Sequence, residues 1–354
     1  MMAATLVRIV IGCLALAACG GAVSANNDDA GNNDAGTNDA GTNDAGTAGT
    51  SDAGTTDAGT DGGCNGVACN RASCQGLPST CGGSKDCCAS NVVIGGTFNR
   101  SSDGAYPATV STFKLDVYEV TVGRFRAFVN AGKGTQASPP APDAGAHPKI
   151  ESSGWSPAFN ASLAATTDAL KAKLKCNAAY PAWSDAPSGN ETLPINCVSW
   201  FEAFAFCAWD GGRLPTEAEW NYAATGGSEQ RDYPWGASID HTKASYDCSG
   251  RGPGTCAFSD MKPVGSFSPQ GDGKWGQADL AGNVWEYTLD YAAVPYRLTA
   301  CSDCADLQPA PNRTFRGGGF ANESFNEITS VRIDRSADIA DYDVGIRCAR
   351  SSGP

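Results

Sequence analysis

The sequence predicts a mixed α+β fold stapled by disulfides. Three observations predict it. One segment, 211–227, carries both a helix start signal and a helix stop signal. Two runs ahead of it, 94–98 and 113–121, have strand character. Finally, 16 cysteines, an even fourteen once the two of the leader region are set aside, favour disulfide staples.

The helix comes first because its chemistry is the clearest. In Gly211-Gly212-Arg213-Leu214-Pro215-Thr216-Glu217-Ala218-Glu219-Trp220, Thr216 and Glu219 stand three apart behind a proline. That is a capping box: the Thr216 hydroxyl accepts from the Glu219 N–H, and the Glu219 carboxylate reaches back to the Thr216 N–H. The helix is expected to reach Ala224 and stop at Gly226-Gly227. Trp220, Ala223 and Ala224 share one face, which is expected to be buried. Taken alone, these residues specify a well-capped helix and nothing more.

Residues 1–19 read as an export signal. Arg8 precedes an apolar run, 9–18, too short to span a membrane as a mature helix. The run ends in Leu16-Ala17-Ala18-Cys19, which resembles the lipobox of bacterial lipoproteins. Cleavage near Ala18 by the soluble-protein peptidase is the alternative. In the lipoprotein reading Cys19 becomes the lipidated N-terminus, a membrane anchor. Gly20 and Gly21 follow it, with no Asp to hold the protein at the inner membrane, so the expected location is the cell envelope at the outer membrane.

Residues 20–63 form a low-complexity tether in which Asp-Ala-Gly recurs six times, and no large apolar side chain follows Val23. Nothing there offsets the entropy of ordering the chain. A calcium-solenoid reading fails because the glycine-rich nonapeptide is missing. As a flexible spacer the segment would span roughly 35–40 Å. Of the formal net charge of −13, the tether's eight Asp and Arg8 of the leader account for −7, leaving −6 on residues 64–354. A mildly acidic body without a basic patch excludes nucleic acid as a partner. A monomer is expected.

Setting aside Cys13 and Cys19 leaves fourteen cysteines, an even number in an exported chain, which argues for disulfides. Residues 64–91 hold six of them, Cys64, Cys69, Cys74, Cys81, Cys87 and Cys88, and read as a small disulfide knot. A zinc site is the alternative there, but no His lies nearby. A domain at 92–350 follows. Its strands lead into a short helix at 122–129, then long loops over 132–190 with one helical stretch around 162–174. A second helix runs through Phe206-Cys207-Ala208-Trp209 into the capped one.

The run Gly-Arg-Leu-Pro-Thr-Glu-Ala-Glu-Trp closely resembles a signature of the sulfatase-modifying-factor, or formylglycine-generating-enzyme-like, family. The resemblance extends to 94–98, 113–121, Pro194-Ile195-Asn196-Cys197-Val198-Ser199-Trp200, Tyr233-Pro234-Trp235-Gly236, 279–290, Arg316-Gly317-Gly318-Gly319-Phe320 and Gly345-Ile346-Arg347-Cys348. It covers about 92–350 and implies a glycine-rich mixed α+β body related to C-type lectins, with much irregular structure. Asn99-Arg100 replaces the family's usual Met-Gly.

The resemblance also implies a chemistry and a test of it. Oxidase members follow the glycines with Ser-Phe and then two cysteines five positions apart, which bind copper(I) and activate oxygen toward a substrate cysteine. Copper(I) prefers soft thiolates. Here the serine position is Gly319 and the cysteine positions hold Asn322 and Glu327. Neither supplies a thiolate, so copper is not expected. Cys301-Ser302-Asp303-Cys304 is the Cys-x-x-Cys of the large domain, either a local disulfide or a redox pair. Iron-binding branches use several histidines. This chain has His147 and His241 alone, each expected in an exposed loop.

By the same resemblance, Asp279-Leu280-Ala281-Gly282-Asn283-Val284-Trp285-Glu286 matches a structural calcium motif. Its implied ligands are Asp279, the carbonyls of Gly282 and Val284, and Glu286. Hard oxygens in a turn suit calcium, and the alternative is a polar turn with Trp285 buried. The family's other calcium site is not expected, since Ala244-Ser245-Tyr246-Asp247 replaces its motif. A family bridge implies Cys207 with Cys348. Proximity suggests Cys248 with Cys256 and Cys301 with Cys304, and elimination suggests Cys176 with Cys197. The functional expectation is a lipid-anchored module, non-catalytic, with a peptide or glycan as ligand. The alternative is a formylglycine-generating oxidase or a related oxidoreductase.

Overall fold

The computed structural model describes residues 71–352 apart from 76, 78, 79 and 82–84. The export signal, Cys19, the tether, Cys64 and Cys69 lie outside the described residues. Among the described residues no helix is long and apolar enough to cross a membrane.

Short strands build three sheets. In chain order they are β1 (Ser90–Val93), β2 (Gly96–Asn99), β3 (Pro107–Val110), β4 (Phe113–Asp116), β5 (Trp285–Tyr291), β6 (Cys301–Ser302), β7 (Asn312–Arg316), β8 (Ile333–Ser336), β9 (Val344–Gly345) and β10 (Ala349–Ser351). The first sheet has the order β1-β4-β10, the second β2-β3-β6 and the third β8-β7-β5-β9. Pairing is antiparallel except for β3 with β6 and β5 with β9. The first sheet thus ties the two ends of the described chain together through β4.

The α-helices longer than a single turn among the described residues are α1 (Val122–Asn130), α2 (Thr167–Lys173), α3 (Trp200–Trp209) and α4 (Glu217–Ala224). Thr121 caps α1 by accepting from the Arg124 N–H. Helix α3 opens on a Ser199–Glu202 capping box. Phe125 and Phe128 of α1 meet Phe206 of α3 at ring-centroid distances of 5.5 Å, and Trp200 and Phe204 extend that aromatic core. The Cys207–Cys348 disulfide joins α3 to the segment entering β10.

Two elements differ from the sequence expectation. The strand expected over 113–121 ends at Asp116. Beyond it the backbone turns from one partner to the next: Val117 N–H donates to Ala89, and Val120 N–H to Ile346. The helical stretch expected around 162–174 contracts to α2, capped by Thr166 and preceded by a 3-10 turn, Pro157–Ser162.

Helix α4 has the expected bounds and capping box, with Gly226 and Gly227 in the left-handed region. It is buried on every side rather than on one face. Its polar residues are paired internally, which makes full burial tolerable. Arg213 grips both oxygens of Glu219 at 2.6 Å, Arg316 pairs with Glu217, and Asn221 Nδ2 donates to the Thr329 carbonyl.

Six disulfides lie among the described residues: Cys74–Cys88, Cys81–Cys87, Cys176–Cys197, Cys207–Cys348, Cys248–Cys256 and Cys301–Cys304. The cysteine-rich segment docks on the large body through a buried ion network. Arg124 and Arg350 each bond both Asp116 and Asp210, while Arg71 reaches Asp116 and the Ser73 N–H donates to Asp210.

Candidate functional site

Two turns laced together form the site. The first spans 279–286, with Asp279, Gly282 and Asn283 at positive φ. A side chain at Gly282 would place its Cβ 2.3 Å from the Ser245 carbonyl oxygen, so the close approach demands glycine. Asn283 pins the turn. Its Nδ2 donates to Glu119 (2.7 Å) and its Oδ1 accepts from the Lys262 N–H (3.0 Å).

Each carboxylate of this turn has a definite partner. The Asp279 Oδ2 accepts from the Gly265 N–H (2.5 Å). Glu286 is gripped by Arg347 at 2.7–2.9 Å and accepts from the Trp220 indole N–H (2.6 Å). Glu119, which also accepts from the Val284 N–H at 3.1 Å, brings a third buried carboxyl to the cluster. Burial, then Asp279 and Glu286, push Glu119 well above the carboxylate range. Burial pushes Asp279 up to about 6 against the pull of the Gly265 N–H and Arg347.

Ionised, these three carboxyls would outnumber the one guanidinium, Arg347, that faces them. A hard cation is the chemical complement of such a surplus. Glu286 spends its oxygens on Arg347 and Trp220, whereas Asp279 accepts through Oδ2 from Gly265. Among the described residues no group of three or more His, Cys, Asp or Glu side chains converges as a metal cage. A cation here would depend on backbone oxygens. Sequence reasoning missed Glu119; the available signal was a lone carboxylate in the apolar run Val117-Tyr118-Glu119-Val120.

The second turn begins where β7 ends. Gly317 and Gly318 adopt positive φ, and two hydrogen bonds lace this turn to the first: Gly282 N–H to Gly317 O and Phe320 N–H to Asn283 O, both 2.8 Å. Asn322 is held by the Trp285 indole, which donates to its Oδ1 at 2.7 Å. Glu327 is 1% exposed, and its oxygens make no well-formed hydrogen bond; the Gly282 and Gly319 N–H groups are the nearest donors and only partly offset its burial. It lies against Gly318, where a Cβ would fall 2.1 Å from Oε2. Burial, with Asp343 added to it, pushes Glu327 well above the ordinary carboxylate range. Asp343, raised to about 6 by burial and then by Asp341, also leaves its Oδ1 without a partner.

Tyr180, Phe320 and Tyr342 pack together nearby, with ring centroids 4.8–6.0 Å apart. Protonated carboxyls beside aromatic rings can donate hydrogen bonds and bind, but they offer no soft metal ligand. Every described cysteine is in a disulfide, Cys301 and Cys304 with each other.

His147 corrects an expectation. It is buried at 5% exposure, not in an exposed loop. Its Nδ1 accepts from the Lys149 N–H (3.2 Å) and its Nε2 lies 3.4 Å from Glu219. Glu219 therefore gathers the helix cap, Arg213 and His147 at one carboxylate. His241 is exposed and stacks on Tyr246.

Residues 82–352 match the model of the sulfatase-modifying factor enzyme 1-like domain. Over 279 residues the chain is 32% identical to a Mus musculus protein described as inactive C-alpha-formylglycine-generating enzyme 2, covering 71% of this chain and 80% of that protein. Over 295 residues it is 32% identical to a formylglycine-generating enzyme of Thermomonospora curvata, covering 73% and 91%. A solved structure, PvdO from Pseudomonas aeruginosa, superposes with a TM-score of 0.51 at 21% identity, over 78% of this chain and 99% of that one. The last similarity concerns the fold alone. An active and an inactive relative stand at equal identity, so only the site residues can discriminate between them.

Proposed function

Because this chain belongs to the sulfatase-modifying factor enzyme 1-like family, we propose that it is a lipid-anchored, extracytoplasmic member that binds a peptide or glycan without the family's copper-dependent thiol oxidation. One observation carries the reading: Asn322 and buried Glu327 stand where the family resemblance puts the copper-binding thiols. An amide and a carboxyl are hard donors and do not hold copper(I). Lipidation at Cys19 would anchor the domain to the outer membrane, with 20–63 as the tether. Calcium would be a structural partner at the 279–286 turn, held by Asp279 and the Gly282 and Val284 carbonyls, with Glu286 shared between it and Arg347.

The deciding experiment is a free-thiol count by mass spectrometry on mature protein from an oxidising compartment, followed by copper(I) titration with a cysteine-containing sulfatase peptide. Zero free thiols and no copper-dependent loss of the peptide thiol support the binding module. Copper-dependent loss of the peptide thiol overturns it in favour of a formylglycine oxidase. Replacing Cys19 by Ser should move the protein from the membrane to the soluble fraction. Thermal melts in calcium against a chelator test the metal: no difference removes calcium from the reading.

A further inference from the structure

The pair Cys301–Cys304 lies apart from the glycine turns. We propose that it is an exchangeable disulfide, able to oxidise a pair of cysteine thiols in an extended protein segment docked beside β6. This inference does not depend on the reading of Asn322 and Glu327.

Three observations support it. First, the bond closes a loop with a sequence separation of 3, the shortest of the six described disulfides; Cys207–Cys348 spans 141. A cross-link restrains the unfolded chain least when its loop is short, so this one adds least as a staple. Second, the loop is held without it. The Asp303 N–H donates to the Thr109 carbonyl at 2.9 Å, and the Asp303 carboxylate accepts from Ser111 N–H and Oγ, each at 2.7 Å. Lys149 Nζ lies 3.2 Å from the same carboxylate. Opening the disulfide would leave these bonds in place.

Third, the pair is placed for access. Strand β6 is the edge of the β2-β3-β6 sheet, so one side of its backbone faces no strand of that sheet. Beside it lies a surface hollow of about 450 Å³ lined by Thr97, Pro107, Thr109, Cys301 and Ser302. Both cysteines are half-buried, whereas Cys207 and Cys348 are fully enclosed. An extended chain can add to such a strand edge through its main chain and present a side chain to the adjoining hollow. Cys301 lines that hollow and Cys304 does not, so the Cys301 sulfur is taken as the point of attack.

The chemistry balances without a metal. A substrate thiolate attacks Cys301 Sγ, a mixed disulfide forms, and Cys304 departs as thiolate. The second substrate thiolate then attacks the substrate sulfur of the mixed disulfide and releases Cys301. The substrate loses two electrons and gains a disulfide; the protein gains both electrons, and the two thiol protons end on Cys301 and Cys304. Turnover requires a disulfide oxidant, for which glutathione disulfide serves in the assay.

The test uses the full mature chain in glutathione buffers of increasing reducing ratio, with each cysteine pair read by differential alkylation and mass spectrometry. The expected result is that Cys301–Cys304 opens at a ratio at least tenfold lower than the other five described disulfides, with an unchanged melting temperature. A two-cysteine peptide should be oxidised stoichiometrically, and a one-cysteine peptide should be trapped on Cys301. The Cys301→Ser/Cys304→Ser protein should melt with the parent yet oxidise nothing. Opening of the pair only on global unfolding, an unoxidised peptide, or a double variant that fails to fold would each overturn the proposal.

Discussion

Arg347 shows how much one side chain carries here. Its guanidinium holds Glu286, reaches the carbonyls of Asp116, Val117 and Ala278, and lies near the buried carboxyls of Glu119 and Asp279. Breaking a buried pair from one side strands the other charge, which costs about 3–5 kcal/mol. Arg347→Met should therefore destabilise by that amount in chemical denaturation. Adding Glu286→Gln should recover about 1 kcal/mol or more, because the stranded charge goes while an acceptor for Trp220 stays. Equal destabilisation in the single and double variants would contradict this account. The sequence exposed little of the arrangement. Glu286 and Arg347 both lay in resemblance segments, but their meeting depends on β5 pairing with β9. Glu119 arrives from a distant turn. His147 was misjudged because a lone His in a proline- and glycine-rich stretch has no visible partner until Glu219 packs against it.

At the scale of elements, capping and cross-linking dominate. Thr216→Ala removes one cap hydrogen bond from α4 and should cost about 1 kcal/mol. Glu219→Gln should cost more, about 3–5 kcal/mol, since Glu219 also balances buried Arg213. A reversed order in urea denaturation would place the cap above the ion pair. The Cys207–Cys348 bridge should contribute about 5 kcal/mol by loop entropy, roughly twice the contribution of Cys248–Cys256 with its separation of 8. Replacing each pair by alanines and comparing denaturation midpoints checks that ratio. Helix α4 was legible to the residue because its start and stop are written in local chemistry. The strand after Asp116 was not, because Val117–Thr121 are shaped by separate partners rather than by a continuous ladder. Local pattern carries no record of such contacts.

At the scale of the whole molecule, two opposed sets of buried carboxyls shape the response to pH. Burial would raise Asp116 and Glu219, but Arg350, Arg124 and Arg71 hold the first below its ordinary range, and Arg213 and His147 hold the second at about 2. Their stabilisation is complete above the unfolded value near 4 and is lost as pH falls toward 2. Asp290 and Asp343 behave in the opposite sense. Burial raises them to about 7 and about 6, so the stability they favour is full below about 4 and is lost as pH rises through 6–7. The two limbs leave a maximum at about pH 4, with stability declining from there up to about pH 7. Asp290 gives the clearest test. Its carboxyl accepts from the Glu217 N–H at the start of α4 and from the Asp306 N–H, both at 2.7 Å. A shift of this size corresponds to a loss on the order of 2–4 kcal/mol between pH 4 and 8. Asp290→Asn keeps one acceptor and loses the other, so it should be less stable than the parent at pH 5. Because it cannot ionise, its stability should fall less steeply, and the difference should narrow or reverse by pH 8. Parallel pH profiles for the two proteins would mean that Asp290 is already ionised in the fold, and that the rising limb belongs to Asp343 and the other raised carboxyls.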